Sequence, residues 1–418
     1  MRHIFTLTAL LLCVGLSAQR PCSSTPYSEA QKASDPRIAR GLAEAEAFQS
    51  RVAALRARAR VTGREQDATI RIPVVVHILY NTDDQNISDA QVQSQLDVLN
   101  RDFRRLNADT ANTPDRFRGL AADVGLEFVL ATVDPQGYET TGIVRRHSSV
   151  SNWSNDDKIK FASTGGDAAW DSRSYLNIWV GPMRTLLGYA SAPGAASDRD
   201  GVVIATRAMG TINVSAPYHL GRTATHEVGH WLGLRHIWGD TYCGDDGIDD
   251  TPKQSNFTSG CPTGPRASCG NNATGDMFMN YMDFTNDACI NLFTEGQKDH
   301  MRSAFAAGGP RAAIAESRGL GKPWNKTPAA PESSPVPAVS PVAKLYPNPA
   351  ASVVNIDFGC STYAGCTVIL HAANGALVQR STVGGKQHRV NVGNLAPGMY
   401  WISTEKNGQV LRMSFVKQ

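Results

Sequence analysis

The 418-residue chain has almost no charge imbalance: 41 Lys and Arg stand against 38 Asp and Glu, a net charge of +3. So slight an excess offers no electrostatic basis for a nucleic-acid partner. Long apolar runs are also missing. The one pronounced run lies in Met1–Ala18, where a basic start (Arg2) leads into Leu7–Leu16 and a small-residue end, Leu16-Ser17-Ala18. It is too short to cross a bilayer, so no transmembrane segment is expected and residues 1–18 read as a secretory signal peptide. An even set of cysteines is lacking once that leader is set aside. Eight are present, and Cys13 falls inside the leader. One of the remaining thiols therefore has no partner within the chain, which makes it either a ligand or a thiol without a role.

What is present is concentrated in His226-Glu227-Val228-Gly229-His230-Trp231-Leu232-Gly233-Leu234-Arg235-His236. On a helix, positions i and i+4 share a face, so His226 and His230 can point two imidazoles at one metal ion. Glu227, beside the first ligand, can take a proton from water. Gly233 lets the chain leave the helix and turn back, which brings His236 in as a third ligand. Three protein ligands with an open fourth position describe a catalytic zinc site. The extension to a third His is the metzincin signature. A metzincin also carries a Met-containing turn under the metal, and Asn280-Tyr281-Met282-Asp283-Phe284 fits. Met282 is chosen over Met277 and Met279 by its context.

The rest of the chain orders itself around this stretch. Residues 19–66 read as a propeptide. Ser28–Arg60 has helical composition but too little apolar content to build a core alone. Arg56, Arg58, Arg60 and Arg64 form either a solvated helix face or a processing region. A catalytic domain is expected over 67–320. Ile70–Leu79 predicts a buried strand, with His77 a core or strand-edge residue rather than a ligand. Ser88 and Gln91 predict a capping box, followed by Val92, Leu96, Leu99, Phe103 and Leu106 on one helix face. Further strands are expected at Leu126–Thr132, Leu176–Val180 and Val202–Ala205. Residues 321–343 form a Pro-rich linker. Over 344–418, short runs such as Val353–Phe358 and Val410–Val416 alternate with turn signals at Asn374-Gly375 and Asn407-Gly408, a small β-sandwich pattern. The expected fold class is therefore α+β followed by an all-β domain.

From His226 to about Phe293 the chain resembles the pappalysin branch of the metzincins. The resemblance rests on the zinc helix, Gly239-Asp240, the run Gly244–Pro252, the Asn-Tyr-Met-Asp turn and Asp287-Ala288-Cys289. It implies a zinc endopeptidase acting on proteins and peptides, with a twisted mixed sheet, an active-site helix and a loop-rich lower subdomain. Gly188-Tyr189-Ala190-Ser191 resembles the edge strand that aligns substrate. The family usually has Tyr two residues after the Met, whereas this chain has Phe284. Losing one such oxyanion donor costs roughly 10²–10³ in rate.

Cys243, Cys261, Cys269 and Cys289 allow three pairings. The resemblance implies Cys243–Cys269 and Cys261–Cys289. Cys360 and Cys366 flank a short turn and could pair with each other. Cys22 is left over, and the resemblance implies that it fills the open zinc position in a latent zymogen. Asp245, Asp246, Asp249, Asp250 and Thr251 crowd one loop, where like charges repel unless a cation such as Ca²⁺ is present. Asp287 corresponds to the base of the pocket just beyond the cleaved bond, which implies cleavage before Arg and less well before Lys. The Arg-rich propeptide then offers sites for self-processing.

Lys344–Gln418, with its Tyr-Pro-Asn-Pro opening, resembles the C-terminal sorting domain of type IX secretion cargo. It implies that machinery as a partner and an extracellular or cell-surface location. Two other readings are a catalytically weak zinc protein with an adhesive role and a zinc hydrolase of non-peptide substrates. The sequence carries no signal of oligomeric state.

Overall fold

The computed structural model describes residues 22–63, 67–325, 343–358, 363–372, 376–406 and 409–418. The expected leader, Arg64, most of the linker, Cys360 and the turns Asn374-Gly375 and Asn407-Gly408 lie outside the described residues. The chain divides into two compact units, residues 1–327 and 328–418.

The first unit runs α1 (Ser24–Ser34), α2 (Pro36–Val61), β1 (Ile70–Tyr80), α3 (Asp89–Phe103), the one-turn α4 (Asp115–Arg118), β2 (Leu126–Leu130), β3 (Ile143–His147), β4 (Leu176–Gly181), β5 (Gly188–Ala190), β6 (Val202–Ala205), α5 (Arg222–Trp231) and α6 (Glu295–Ser303). Its sheet has the order β2-β1-β4-β6-β5, with β3 also paired to β1. β1 is parallel to β2, β3 and β4, and β4 is parallel to β6. Parallel strands covered on both faces read as continuous apolar runs, which is why β1 shows no alternation. β5 closes the sheet antiparallel to β6 and forms an edge.

His77 is a core residue of the central strand rather than an edge residue. It is fully buried, with Nδ1 2.7 Å from the Asp167 carboxylate and Nε2 3.1 Å from Asn177 Oδ1. The Ser88 hydroxyl accepts from the Gln91 amide at 3.2 Å, but the Gln91 side chain donates to the Met209 carbonyl. The expected capping box is therefore a simple Ser cap. Val92, Leu96, Leu99 and Phe103 are buried, whereas Leu106 is 69% exposed. The helix stops at Phe103, and Arg105 turns left-handed (φ 49°). β2 ends two residues short of the expected strand, and β3 carried no clear sequence signal.

The helices ahead of β1 gain their core from the rest of the unit. Tyr27, Leu42 and Ala45 are buried. Gln49 Nε2 donates to the carbonyls of Leu232 (2.9 Å) and His300 (3.3 Å). Arg56 pairs with Asp67 at 2.7 Å and Arg60 with Asp299 at 3.2 Å, so this basic run is only partly solvated.

The second unit contains β7 (Lys344–Tyr346), β8 (Val353–Asp357), β9 (Thr367–Ala372), β10 (Leu377–Thr382), β11 (Gln387–Asn391), β12 (Gly398–Lys406) and β13 (Gln409–Lys417). They form two antiparallel sheets, β10-β9-β12-β13 and β11-β8-β7. Val354, Ile356, Phe358, Leu370, Ile402 and Phe415 fill the core between them, giving an all-β sandwich.

Candidate metal centre

Helix α5 is buried along its whole length. It starts after Gly221, and the buried Asp287 carboxylate accepts from the Leu220 amide (2.8 Å) and the Arg222 amide (3.3 Å). The helix ends at Trp231, and two residues on Gly233 takes a φ of +94°, which no other residue adopts readily. The chain then doubles back, with the Leu234 amide on the Gly229 carbonyl at 3.0 Å. This reversal brings His236 to the two helix histidines. Nε2 of His230 lies 3.1 Å from Nε2 of His226 and 3.1 Å from Nε2 of His236.

Each outer ring nitrogen is tied down. Nδ1 of His226 meets the Tyr281 carbonyl at 2.7 Å, Nδ1 of His230 the Leu234 carbonyl at 2.8 Å, and Nδ1 of His236 the Asp240 carboxylate at 2.5 Å. These partners only accept, so each proton sits on Nδ1 and each Nε2 lone pair points inward. Burial lowers the His230 pKa to about 3, which keeps that ring neutral. The ligand atoms of Cys22, His226, His230 and His236 all lie within 4.8 Å of one another, the one such group among the described residues. Three imidazoles and a thiol form a donor set that suits zinc. Without a cation, burial and the neighbouring Glu227 push the Cys22 thiol up; a bound cation reverses that logic.

Glu227 is 1% exposed. Its Oε2 accepts from the Ser24 hydroxyl at 2.7 Å and lies 3.6 Å from Cys22 Sγ. The Ser24 oxygen accepts from the Ala190 amide at 2.8 Å, and the Ser23 amide donates to the Gly188 carbonyl at 3.3 Å. Residues 22–24 thus lie along the β5 edge and over Glu227 together. Gly188 and Ala190 present backbone there. The Tyr189 side chain is fully buried, with its hydroxyl 3.4 Å from Asp157.

Met282 lies beneath α5 against Gly229, where an added Cβ would stand 2.5 Å from the Met282 sulfur. Met277 and Met279 belong to a separate apolar cluster with Ile237 and Trp238. Tyr281 turns away from the histidines and accepts from Arg222 at 2.6 Å, so it does not replace the Tyr absent at 284. Phe284 packs edge-on against His236 at 4.8 Å and lies 5.7 Å from His226.

The acidic loop does not converge on one point. Asp245 pairs with Lys253 (3.1 Å), and Asp246 accepts from Thr251 Oγ1 (2.8 Å). Asp250 accepts from Thr294 Oγ1 (2.6 Å) and the Gly296 amide (2.8 Å), while Asp249 is exposed. Burial pushes Asp246 up to about 7. Disulfides join Cys243 to Cys269 and Cys261 to Cys289. Cys366 is unpaired among the described residues. Two contributors escaped the sequence reading. Asp240 had a signal, its i+4 spacing from His236; Ser24 on Glu227 is a tertiary contact with none.

Comparison with known proteins agrees with this geometry. The family described as "Pregnancy-associated plasma protein-A" matches residues 162–306, and the "Secretion system C-terminal sorting domain" matches residues 344–418. An extracellular metalloprotease of Pyricularia oryzae is 32% identical over 282 residues, covering 65% of this chain and 87% of that protein. Mature mirolysin of Tannerella forsythia, solved in complex with a cleaved peptide, is 51% identical with a TM-score of 0.59, over 60% of this chain and 97% of its own. A promirolysin mutant from the same organism is 45% identical with a TM-score of 0.64, over 71% of this chain and 97% of its own. The chain is an extracellular protein carrying a type IX secretion sorting domain, and it belongs to the pappalysin family of zinc metalloendopeptidases.

Proposed function

We propose that this protein is made as a latent zymogen and, once its prosegment is removed, cuts peptide chains before Arg and less well before Lys. The observation that carries the reading is the convergence of three Nε2 atoms beside Glu227, with the Cys22 thiol at the same point. His226, His230 and His236 hold zinc, and Met282 forms the floor beneath them. A zinc ion there supplies the Lewis acidity that activates water and polarises a peptide carbonyl. Glu227 Oε2 takes the proton from the attacking water and delivers it to the leaving amine nitrogen. With residues 22–24 gone, the backbone edge of Gly188–Ala190 is open to pair with an extended substrate.

Latency is supported by Cys22 at the histidines and Ser24 on Glu227. Residues 19–66 form the prosegment, 67–320 the catalytic domain, 321–343 the linker and 344–418 the sorting domain. Self-processing falls in the stretch from Arg56 to Arg64, of which α2 covers the part through Val61. Asp287 selects Arg through its buried carboxylate, which the fork of a guanidinium matches in two places. A calcium site in the loop from Asp245 to Thr251 is supported by the buried Asp246 carboxylate; a rise in melting temperature on adding Ca²⁺ to zinc-loaded protein tests it.

The deciding experiment for the activity compares activated wild type with Glu227→Ala on a diverse peptide library, with and without chelator. Cuts before Arg that vanish in the variant and in chelator support the assignment. Equal cutting by the variant removes Glu227 from its role. An Asp287→Asn form that keeps the same Arg preference removes Asp287 as selector.

A further inference from the structure

Three residues past Ser24, the expected prosegment sinks a phenol into the unit that carries the zinc helix. Tyr27 is 3% exposed. Its ring lies 5.0 Å from the ring of Tyr189, and Lys160 Nζ stands 5.0 Å from its centre. Its hydroxyl donates to Asp157 Oδ2 at 2.9 Å. These walls belong to the catalytic region and are held without Tyr27. Lys160, fully buried, pairs with Asp157 Oδ1 at 2.9 Å, donates to the Arg199 carbonyl at 2.8 Å and lies 5.4 Å from the Trp179 ring.

Removal of residues 22–66 has a defined consequence here. Asp157 Oδ2 loses two donors, the Tyr27 hydroxyl and Gln31 Nε2 (3.3 Å). A slot the size of a phenol ring opens against Tyr189. Oδ2 then keeps only the Arg199 guanidinium at 3.8 Å, and a buried carboxylate oxygen short of donors is costly. An aromatic wall with a cation beside it favours another aromatic ring.

We propose that this slot is a subsite of the active enzyme that takes a tyrosyl side chain of the peptide substrate. The proposal rests on the reading of residues 22–66 as a removable prosegment. Tyr27 follows directly on Cys22–Ser24, which lie along β5. A substrate strand added to that edge passes the mouth of the slot. Its phenol hydroxyl takes the place of Tyr27 on Asp157. Phenylalanine fills the same wall but brings no donor, so the order of preference is Tyr, then Phe, then Ala.

The test uses activated wild-type protein and a peptide with a single Arg cleavage site, in which Tyr is moved one position at a time on both sides of the bond. At one fixed position, Tyr raises kcat/KM about tenfold over Phe, the scale of a hydrogen bond to a charged acceptor. In Asp157→Asn the Tyr-to-Phe ratio falls toward one. This ratio compares two peptides on one enzyme preparation, so partial loss of folded protein cancels. Asn also suits the left-handed backbone at 157 (φ 63°). If that variant does not fold, competition by N-acetyl-tyrosinamide against N-acetyl-phenylalaninamide on wild type reads the same discrimination. Cleavage of the Arg peptide with no position that separates Tyr from Phe, and equal competition by the two amides, overturns the subsite and leaves the peptidase reading standing. Failure to cleave any Arg peptide overturns the peptidase reading itself and the subsite with it.

Discussion

The hydroxyl of Ser24 donates to Oε2 of Glu227 at 2.7 Å and at the same time accepts from the Ala190 amide at 2.8 Å. One side chain thus engages both Glu227, the proposed proton acceptor, and β5, the proposed substrate edge. Cys22 covers the histidines from the same segment. On the zymogen reading proposed above, latency is a two-point contact, with a thiol on the metal side and a hydroxyl on the base.

Ser24→Ala should weaken that hold while leaving Cys22 in place. A hydrogen bond to a charged group is worth about 1.5–3 kcal/mol, so spontaneous activation is expected to speed up about tenfold or more. The lag before peptide cleavage by purified zymogen measures this. An unchanged lag would show that the thiol alone sets latency.

Asp240→Ala removes the carboxylate that fixes Nδ1 of His236 at 2.5 Å. Losing such a partner behind a ligand typically costs about 10–100-fold in metal affinity. Chelator competition on the activated enzyme should show that loss. Zinc affinity equal to wild type would mean that His236 is oriented by its ring packing on Trp238 instead.

Gly229→Ala would place a methyl 2.5 Å from the sulfur of Met282. Overpacking of this kind costs about 1–3 kcal/mol, which corresponds to a drop of several degrees in Tm, at about 2–4 °C per kcal/mol for a unit near this size. Met282→Ala in the same chain should recover part of the loss, because the two residues touch. Strictly additive losses would show that the collision is relieved elsewhere.

The meeting of His226, His230 and His236, the seat of Met282 beneath α5, the disulfides Cys243–Cys269 and Cys261–Cys289 and the all-β second unit were legible from spacing, composition and family likeness. Other features were not, for physical reasons. Leu106 continued the apolar spacing of α3, but no local signal announced that the helix stops at Phe103. Gln91 looked like a capping-box partner, yet a carbonyl 118 positions away, that of Met209, takes its side chain. Tyr189 lay in the expected substrate strand, but alternation along a strand sends its ring to the buried face. The acidic loop read as one carboxylate cluster, and its members instead found separate partners in Lys253, Thr251 and Thr294.

Phe284→Tyr would return a hydroxyl beside His236, whose ring the Phe284 ring meets at 4.8 Å. If the active enzyme lacks an oxyanion donor here, kcat should rise, with an upper bound of about 10²–10³, and KM should change little. Steady-state kinetics on one Arg-containing peptide distinguishes this from a change in binding. An unchanged kcat would mean that transition-state charge is met by other groups.

The central claim is that Glu227, beside three converging imidazoles, moves the proton in peptide hydrolysis. Its most direct test maps cuts in a diverse peptide library by mass spectrometry, using activated wild type and zinc-loaded Glu227→Ala protein. Cuts should cluster before Arg in wild type and be abolished by the substitution while zinc stays bound. Near-normal cutting by Glu227→Ala, or no cutting by zinc-loaded wild type freed of its prosegment, would contradict it.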